Sequence, residues 1–238
     1  MSSLERHAAR IGALADPVRL ALYRFVAAQP GPVSRDQAAD AVGIARHQAK
    51  FHLDRLEAEG LLDSDYARLT GKSGPGAGRP SKRYQRSERE IAVSVPPRQY
   101  ELAGRLMADA IAEAARTGAS AADALERLAR DRGREIGAAA VGGRPPADAR
   151  ATLSLAADAL DEQGYQTRCT GGEIYLTNCP FHAMASAQQQ LTCDMNHALI
   201  NGLADALAPH SPHTRRSPDP AGCCVVLSLD GSADQAGD

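Results

Sequence analysis

The chain has 238 residues, of which 43% are hydrophobic and 24% charged, and its formal net charge is −2. That length favours two small domains over one large one. No apolar run reaches the roughly 20 residues needed to span a bilayer. The start, Met1 to His7, lacks the basic and apolar stretches of a signal peptide, so a soluble cytoplasmic protein with no membrane partner is expected.

Asp16-Pro17 is a cap followed by proline at the first helical position, and Val18, Leu20, Leu22, Phe25 and Val26 make the helix behind it largely buried. Pro30-Gly31-Pro32 ends that segment. Ser34 with Gln37, three residues on, forms a capping box for a second, short helix. Gly43 marks a turn, and residues 45–60 then read as a third helix, with Ala45, Ala49, Leu53 and Leu56 on one face. Gly60 is its stop. Two helices joined by a short turn are the helix-turn-helix arrangement, and the second of them is the one that enters a DNA major groove. Arg46, His47, Gln48 and Lys50 fill its first turns and are the candidates for reading base edges.

Residues 61–69 read as a strand and 82–86 as its return, around a tip over 70–81 too rich in Gly and Pro for regular structure. Helices followed by such a hairpin make a winged helix-turn-helix. Charge supports it: residues 1–90 hold 15 Lys+Arg and 11 Asp+Glu, net +4, leaving 12 basic and 18 acidic residues, net −6, for the remainder. Lys72, Arg79 and Lys82 are the candidates for phosphate or minor-groove contact, since clustered cations are what phosphate neutralisation requires. Arg79, held between Gly78 and Pro80, suits a narrow A·T minor groove.

Pro96-Pro97 breaks the chain. Residues 100–116 read as a helix with Leu102, Leu106, Ala110 and Ala114 at four-residue spacing, and Ser120 caps another carrying Ala124, Leu125, Leu128 and Ile136. These helices serve as plain core or as a dimer interface. Winged regulators bind pseudo-palindromic sites as symmetric dimers, which points to a homodimer on an operator duplex. Residues 142–146 mark a boundary. A helix over 147–162, a hairpin across Gly171-Gly172, a helix over 194–207 and a strand over 225–229 follow, with an irregular excursion over 210–220. The whole reads as mainly α with small β elements: a winged helix-turn-helix DNA-binding domain over 1–90, a helical linker and dimerisation segment over 91–143, and a small α+β sensor domain with the cysteines over 144–238.

Five cysteines in a reducing compartment are poor disulfide candidates, and metal binding or redox chemistry is the better expectation. Cys179 before Pro180 reads as a helix cap and Cys193 as the opening of the next helix, where the helix dipole favours the thiolate that binds metal. His182 stands at C-x-x-H spacing from Cys179. Cys223-Cys224 begins the last strand, so alternation lets only one of the two join a common site easily. Cys169 is expected to be buried and inert, and His197, His210 and His213 to be surface groups. Cys179, His182, Cys193, Cys223 and Cys224 are thus the candidate metal ligands.

The segment from Phe51 to Leu61, with its Phe-His-Leu-x-x-Leu-x-x-x-Gly-Leu pattern, resembles the recognition helix of the ArsR-like winged regulators of bacteria. Gly-Ala-Gly-Arg-Pro-Ser-Lys in the wing, Asn178-Cys179-Pro180-Phe181-His182, Cys193-x-Met195-Asn196 and Gly222-Cys223-Cys224-Val225 extend the likeness to an actinobacterial-type family similar to the iron–sulfur-binding repressor of the suf operon. The interval from Cys179 to Cys193 resembles that repressor's cluster motif, whereas Cys223 lies farther along than the motif places it. The resemblance implies a 4Fe–4S cluster on Cys179, Cys193 and one of Cys223 or Cys224, with His182 or Cys169 as fourth-ligand candidates, whose presence modulates operator binding. Zinc is the alternative occupant. A cysteine enzyme with Cys179 or Cys193 as nucleophile and His182 as base lacks an orienting residue and an oxyanion loop, so no enzymatic activity is expected.

Overall fold

The computed structural model describes residues 3–67, 80–217 and 222–229, and these divide into two compact units that meet in sequence between Val93 and Ser94. In the first unit α1 (Ser3–Ala13) leads into α2 (Pro17–Ala27), α3 (Arg35–Val42) and α4 (Arg46–Ala58). The Asp16 carboxylate accepts from the Arg19 N–H at 2.9 Å, capping α2 as its sequence requires. The Ser34–Gln37 capping box on α3 is complete, with bonds of 3.2 and 2.8 Å. Gly43, at φ +74°, makes the turn into α4, a conformation open to glycine without strain.

One short strand not expected from the pattern joins the expected hairpin. β1 (Val33–Ser34) pairs with β3 (Ser81–Arg86), which also pairs with β2 (Leu62–Ala67), giving the antiparallel order β1-β3-β2. α4 stops at Ala58, and Leu61 and Leu62 turn into the core at the root of the hairpin. Leu22, Val26, Ala39, Ala49, Leu53, Leu56, Leu62 and Tyr84 fill that core. Ala45, expected on the buried face of α4, is instead its exposed N-cap.

The second unit contains α5 (Tyr100–Thr117), α6 (Ala121–Val141), α7 (Ala149–Glu162), the hairpin β4 (Thr167–Thr170) and β5 (Glu173–Leu176), α8 (His182–Ala187), α9 (Gln189–Asp205), β6 (His213–Arg216) and β7 (Val225–Ser228). Its sheet runs β4-β5-β7-β6, antiparallel throughout. β6 falls in the stretch expected to be irregular, because the open edge of β7 supplies a partner that local composition cannot announce. The middle helices, read from sequence as a linker, share one apolar core with the cysteine-bearing end: Leu106, Leu125 and Ile136 join Leu160, Ile174, Leu199 and Leu227. Among the described residues no helix is long and apolar enough to cross a membrane.

α6 and α9 approach almost backbone to backbone. A Cβ on Gly133 would stand 1.9 Å from the Leu199 carbonyl oxygen, one on Gly202 1.9 Å from that of Arg130, and one on Gly137 2.6 Å from that of Leu203. The ion pairs of Arg130 and Arg134 with Asp205, at 3.0 and 3.3 Å, flank this seam. Alanine in an exposed helix ordinarily adds about 1 kcal/mol over glycine; here the sign should reverse. Gly202→Ala is expected to lower the stability of the chain by about 1–3 kcal/mol through forced separation of the helices. Chemical denaturation checks it, and an unchanged or higher midpoint would rule the close seam out.

Candidate nucleic-acid interface and thiol site

α4 buries Ala49, Leu53 and Leu56, so the opposite side carries His47, Phe51 and Arg55 outward, one turn apart. Phe51 is 66% exposed, an unusual cost for an aromatic ring in water, and the sequence reading passed over it. The signal was available: Phe51 falls outside the Ala49-Leu53-Leu56 stripe. Arg46, Gln48 and Lys50 are also exposed, but each has a neighbour. Arg46 lies 3.6 Å from Asp36, Lys50 3.0 Å from Asp54, and the Gln48 amide oxygen accepts from the Ala45 N–H at 3.2 Å. Alanine at the cap has no acceptor of its own, so Gln48 supplies half of a capping box.

Lys82 sits deeper than expected of a phosphate-binding residue. Its Nζ lies 3.0 Å from Asp54 and 2.5 Å from Glu57, and 5.1 Å above the Tyr84 ring. Burial works against its charge, yet Glu57 and Asp54 outweigh burial and raise its pKa. Burial likewise opposes the Asp54 carboxylate, but Lys82, the Tyr84 hydroxyl at 2.8 Å and Lys50 hold its pKa down. The network bolts the second and third turns of α4 to the wing strand. Lys72 and Arg79 lie outside the described residues. Arg86, at the end of β3, is exposed and has no ion pair among the described residues.

In the second unit all five cysteines are free thiols, and four of them converge. Cys179 interacts with Cys223, Cys223 with its neighbour Cys224, and Cys224 with Cys193. These residues come from the β5–α8 loop, the approach to β7, and α9. Several expectations need correction. Cys193 does not open a helix: α9 begins at Gln189, which puts the thiol in the second turn, away from the free N–H groups. Cys223 and Cys224 precede β7 rather than belonging to it, so strand alternation does not separate them and both join the cluster. Cys169 lies in β4 opposite Ile174 and is exposed rather than buried. His182 starts α8 with its side chain exposed, and no hydrogen bond joins its ring to a thiol among the described residues. His197 is half-buried near Thr214, with its pKa lowered by burial and then by Arg216.

The four thiols are not equivalent. The Cys223 contact lowers the Cys179 pKa against the opposing effect of burial, with help from the Phe181 N–H. Cys224 is drawn down to about 6 by its bond with Cys223, against burial, and then by Cys193 and by Arg216. Burial and the bond to Cys224 push Cys193 up to about 12. Contacts with Cys179 and Cys224, then burial, raise Cys223 as well. The cluster therefore alternates two thiols with lowered pKa values, Cys179 and Cys224, with two whose pKa values are raised. Behind it the fully buried Tyr165 hydroxyl donates to Asn196 Oδ1 at 2.5 Å, which turns the Asn196 amide N–H toward the Cys223 sulfur at 3.1 Å. The donors form a chain of contacts, and among the described residues no group of three or more His, Cys, Asp or Glu is already disposed as a cage for an ion.

Residues 14–65 match the family model of a helix-turn-helix domain. That span runs from the end of α1 through α4 and into β2. No curated protein and no solved structure matches the chain. The first unit is thus a DNA-binding helix-turn-helix domain, of the kind that transcription regulators carry.

The thiol pKa pattern has a direct chemical readout. In reduced, metal-free protein, Cys224 should be the first thiol alkylated by iodoacetamide, with a rate that rises through pH about 6, whereas Cys193 should lag across the neutral range. Site-resolved mass spectrometry over a pH series checks this. Equal rates at the two sites would exclude the alternating pattern.

Proposed function

We propose that the protein is a transcription regulator that binds operator DNA as a homodimer through α4 and the wing, and that Cys179, Cys193, Cys223 and Cys224 hold a metal centre that modulates this binding. The convergence of four thiols from separate segments, on a chain whose other unit carries a helix-turn-helix domain, is the observation that carries the reading. Four cysteine sulfurs are the donor set of both a 4Fe–4S cluster and a structural zinc site. The Asn196 N–H facing Cys223 and the lowered pKa values of Cys179 and Cys224 fit such a group. The fourth position, for which His182 and Cys169 were the sequence candidates, falls to the second member of the Cys223-Cys224 pair. A cluster would supply sensitivity to oxidants and to iron–sulfur status. These residues would bind as thiolates, and because the pKa values of Cys193 and Cys223 are raised, binding would displace thiol protons.

The interface is tested on a duplex selected by the wild-type protein from a random pool. His47→Ala, Phe51→Ala and Arg46→Ala should each weaken specific binding by about 1–3 kcal/mol if they meet base edges or a thymine methyl group. Arg79→Ala and Lys72→Ala should weaken binding alike on all sequences and reduce the log–log salt slope by about 0.9 per lost phosphate contact. Lys82→Ala should lower stability instead, because it leaves Asp54 and Glu57 without their shared cation. Gel-shift titration across a salt series checks all of these, and unchanged affinity in both His47→Ala and Phe51→Ala would remove α4 from the base-reading role.

The centre is tested by anaerobic purification with iron, sulfide and zinc counted per chain. Cys179→Ser and Cys193→Ser should lose the centre, and Cys169→Ser and His182→Ala should keep it. Stoichiometric zinc without sulfide would replace the cluster with a structural zinc site. Protein that takes up neither would defeat the metal reading.

A further inference from the structure

Cys179 faces two ways. Its thiol belongs to the four-cysteine cluster, while its backbone carbonyl accepts from the Arg98 guanidinium at 3.1 Å. Arg98 lies in the segment that enters the second unit, five residues after the first unit ends at Val93. The same guanidinium nitrogen donates to Asn178 Oδ1 at 2.6 Å. The Asn178 amide nitrogen donates to the Pro97 carbonyl at 3.1 Å and to the Gly164 carbonyl at 2.5 Å. The Gln99 N–H donates to the Pro180 carbonyl at 3.1 Å. Pro97 also packs so closely on Gly164 that a Cβ there would stand 2.7 Å from its own.

The Asn178 side chain thus uses both donors and its acceptor on this one junction while only 8% exposed, so no water can stand in cheaply for a lost partner. Residues 178–180 grip residues 97–99 on one side and contribute a cluster thiol on the other. The Cys179 side chain meets the other thiols through S–H contacts, which are weak, while the Asn178 N–H and buried Phe181 anchor the loop on either side. A metal–thiolate bond at Cys179 is far stronger and would suppress opening of the loop, and of whatever is bonded to it.

We infer that Arg98 and Asn178 are positioning residues that couple the state of the thiol site to the segment leading from the DNA-binding unit, so that metal occupancy at Cys179 governs how firmly residues 97–99 are held. The inference rests on the metal-centre reading above. It requires loaded and metal-free protein to differ in the free energy of opening at this junction, which is what allosteric coupling means physically.

Hydrogen–deuterium exchange on the full chain tests it, under anaerobic conditions, metal-free and with zinc(II) as the probe metal. The peptide spanning residues 94–102 reports on the Gln99 amide. Zinc should slow its exchange on the order of tenfold, equivalent to about 1.4 kcal/mol of added protection. Asn178→Asp can still accept from Arg98 but cannot donate to Pro97 or Gly164, and Arg98→Ala removes the link to the Cys179 carbonyl. At zinc concentrations that saturate each variant, both should show much less slowing at 94–102 while retaining it around Cys193. Either variant alone suffices should the other fail to fold. Wild-type protein that holds zinc yet exchanges residues 94–102 at the metal-free rate overturns the inference, and so do variants that respond as wild type does. Wild-type protein that holds no zinc and no cluster overturns the metal-centre reading itself, a result distinguishable from those because the bound metal is counted in the same samples.

Discussion

The second unit depends on the absence of three side chains. Gly133, Gly137 and Gly202 let α6 and α9 cross with backbone atoms in contact, at distances that any Cβ would violate. This close approach sets the depth of α9 in the unit. α9 in turn carries Cys193 into the thiol cluster and Asn196 between the Tyr165 hydroxyl and the Cys223 sulfur. A larger residue in the seam would push α9 outward and move a cysteine and a sulfur-directed amide with it. Packing and site geometry are here one constraint, because close-packed interiors transmit displacement rather than absorbing it.

The first unit solves a different problem, that of holding a helix by one side while its other side stays free. Leu53 and Leu56 anchor α4 by apolar burial, and Asp54 and Glu57, one residue further round, tie it to β3 through Lys82 and Tyr84. The arrangement leaves His47, Phe51 and Arg55 facing outward on a helix that cannot easily roll. It also draws Lys82, one of several cations around the wing, into internal neutralisation. A basic segment is not uniformly available to phosphate: tertiary contacts decide which of its charges stay open.

The thiol cluster shows how neighbouring groups of one kind become unlike. Four thiols in contact cannot all ionise, since like charges at close range repel, and they do not all stay protonated, since each thiolate is stabilised by a neighbouring S–H donor. The outcome is alternation, with Arg98 beside Cys179 and Arg216 beside Cys224 adding positive charge at the two thiols whose pKa values are lowered. Arg216 is itself ion-paired with Asp194, next to Cys193. Asn196 keeps a donor aimed at Cys223, a residue otherwise held protonated by its neighbours. A site built this way is tense with respect to protons and responsive to anything that replaces them.

Much of the first unit was legible in the amino-acid sequence because its signals are local. Asp16-Pro17, the Ser34–Gln37 box, Gly43 and the Ala49-Leu53-Leu56 stripe each act within a few residues, and each appears in the structure where its chemistry puts it. Candidate ligands could be named as cysteines, but their environment could not be derived from chain position. Cys193 was assigned to a helix tip by local pattern, and α9 instead begins a turn earlier, so burial rather than a helix dipole controls that thiol. Cys223 and Cys224 were separated by a strand rule that does not apply to the irregular backbone ahead of β7. β6 was invisible because a strand with little apolar alternation forms only when a neighbouring edge provides its hydrogen bonds. Local sequence patterns specified the caps, the buried stripe of α4 and the chemical types of the donors. The tertiary structure decided which thiols share protons, which cations remain free, and that Arg98 and Asn178 join the thiol loop to the segment after Val93, since all three depend on contacts between residues far apart in the chain.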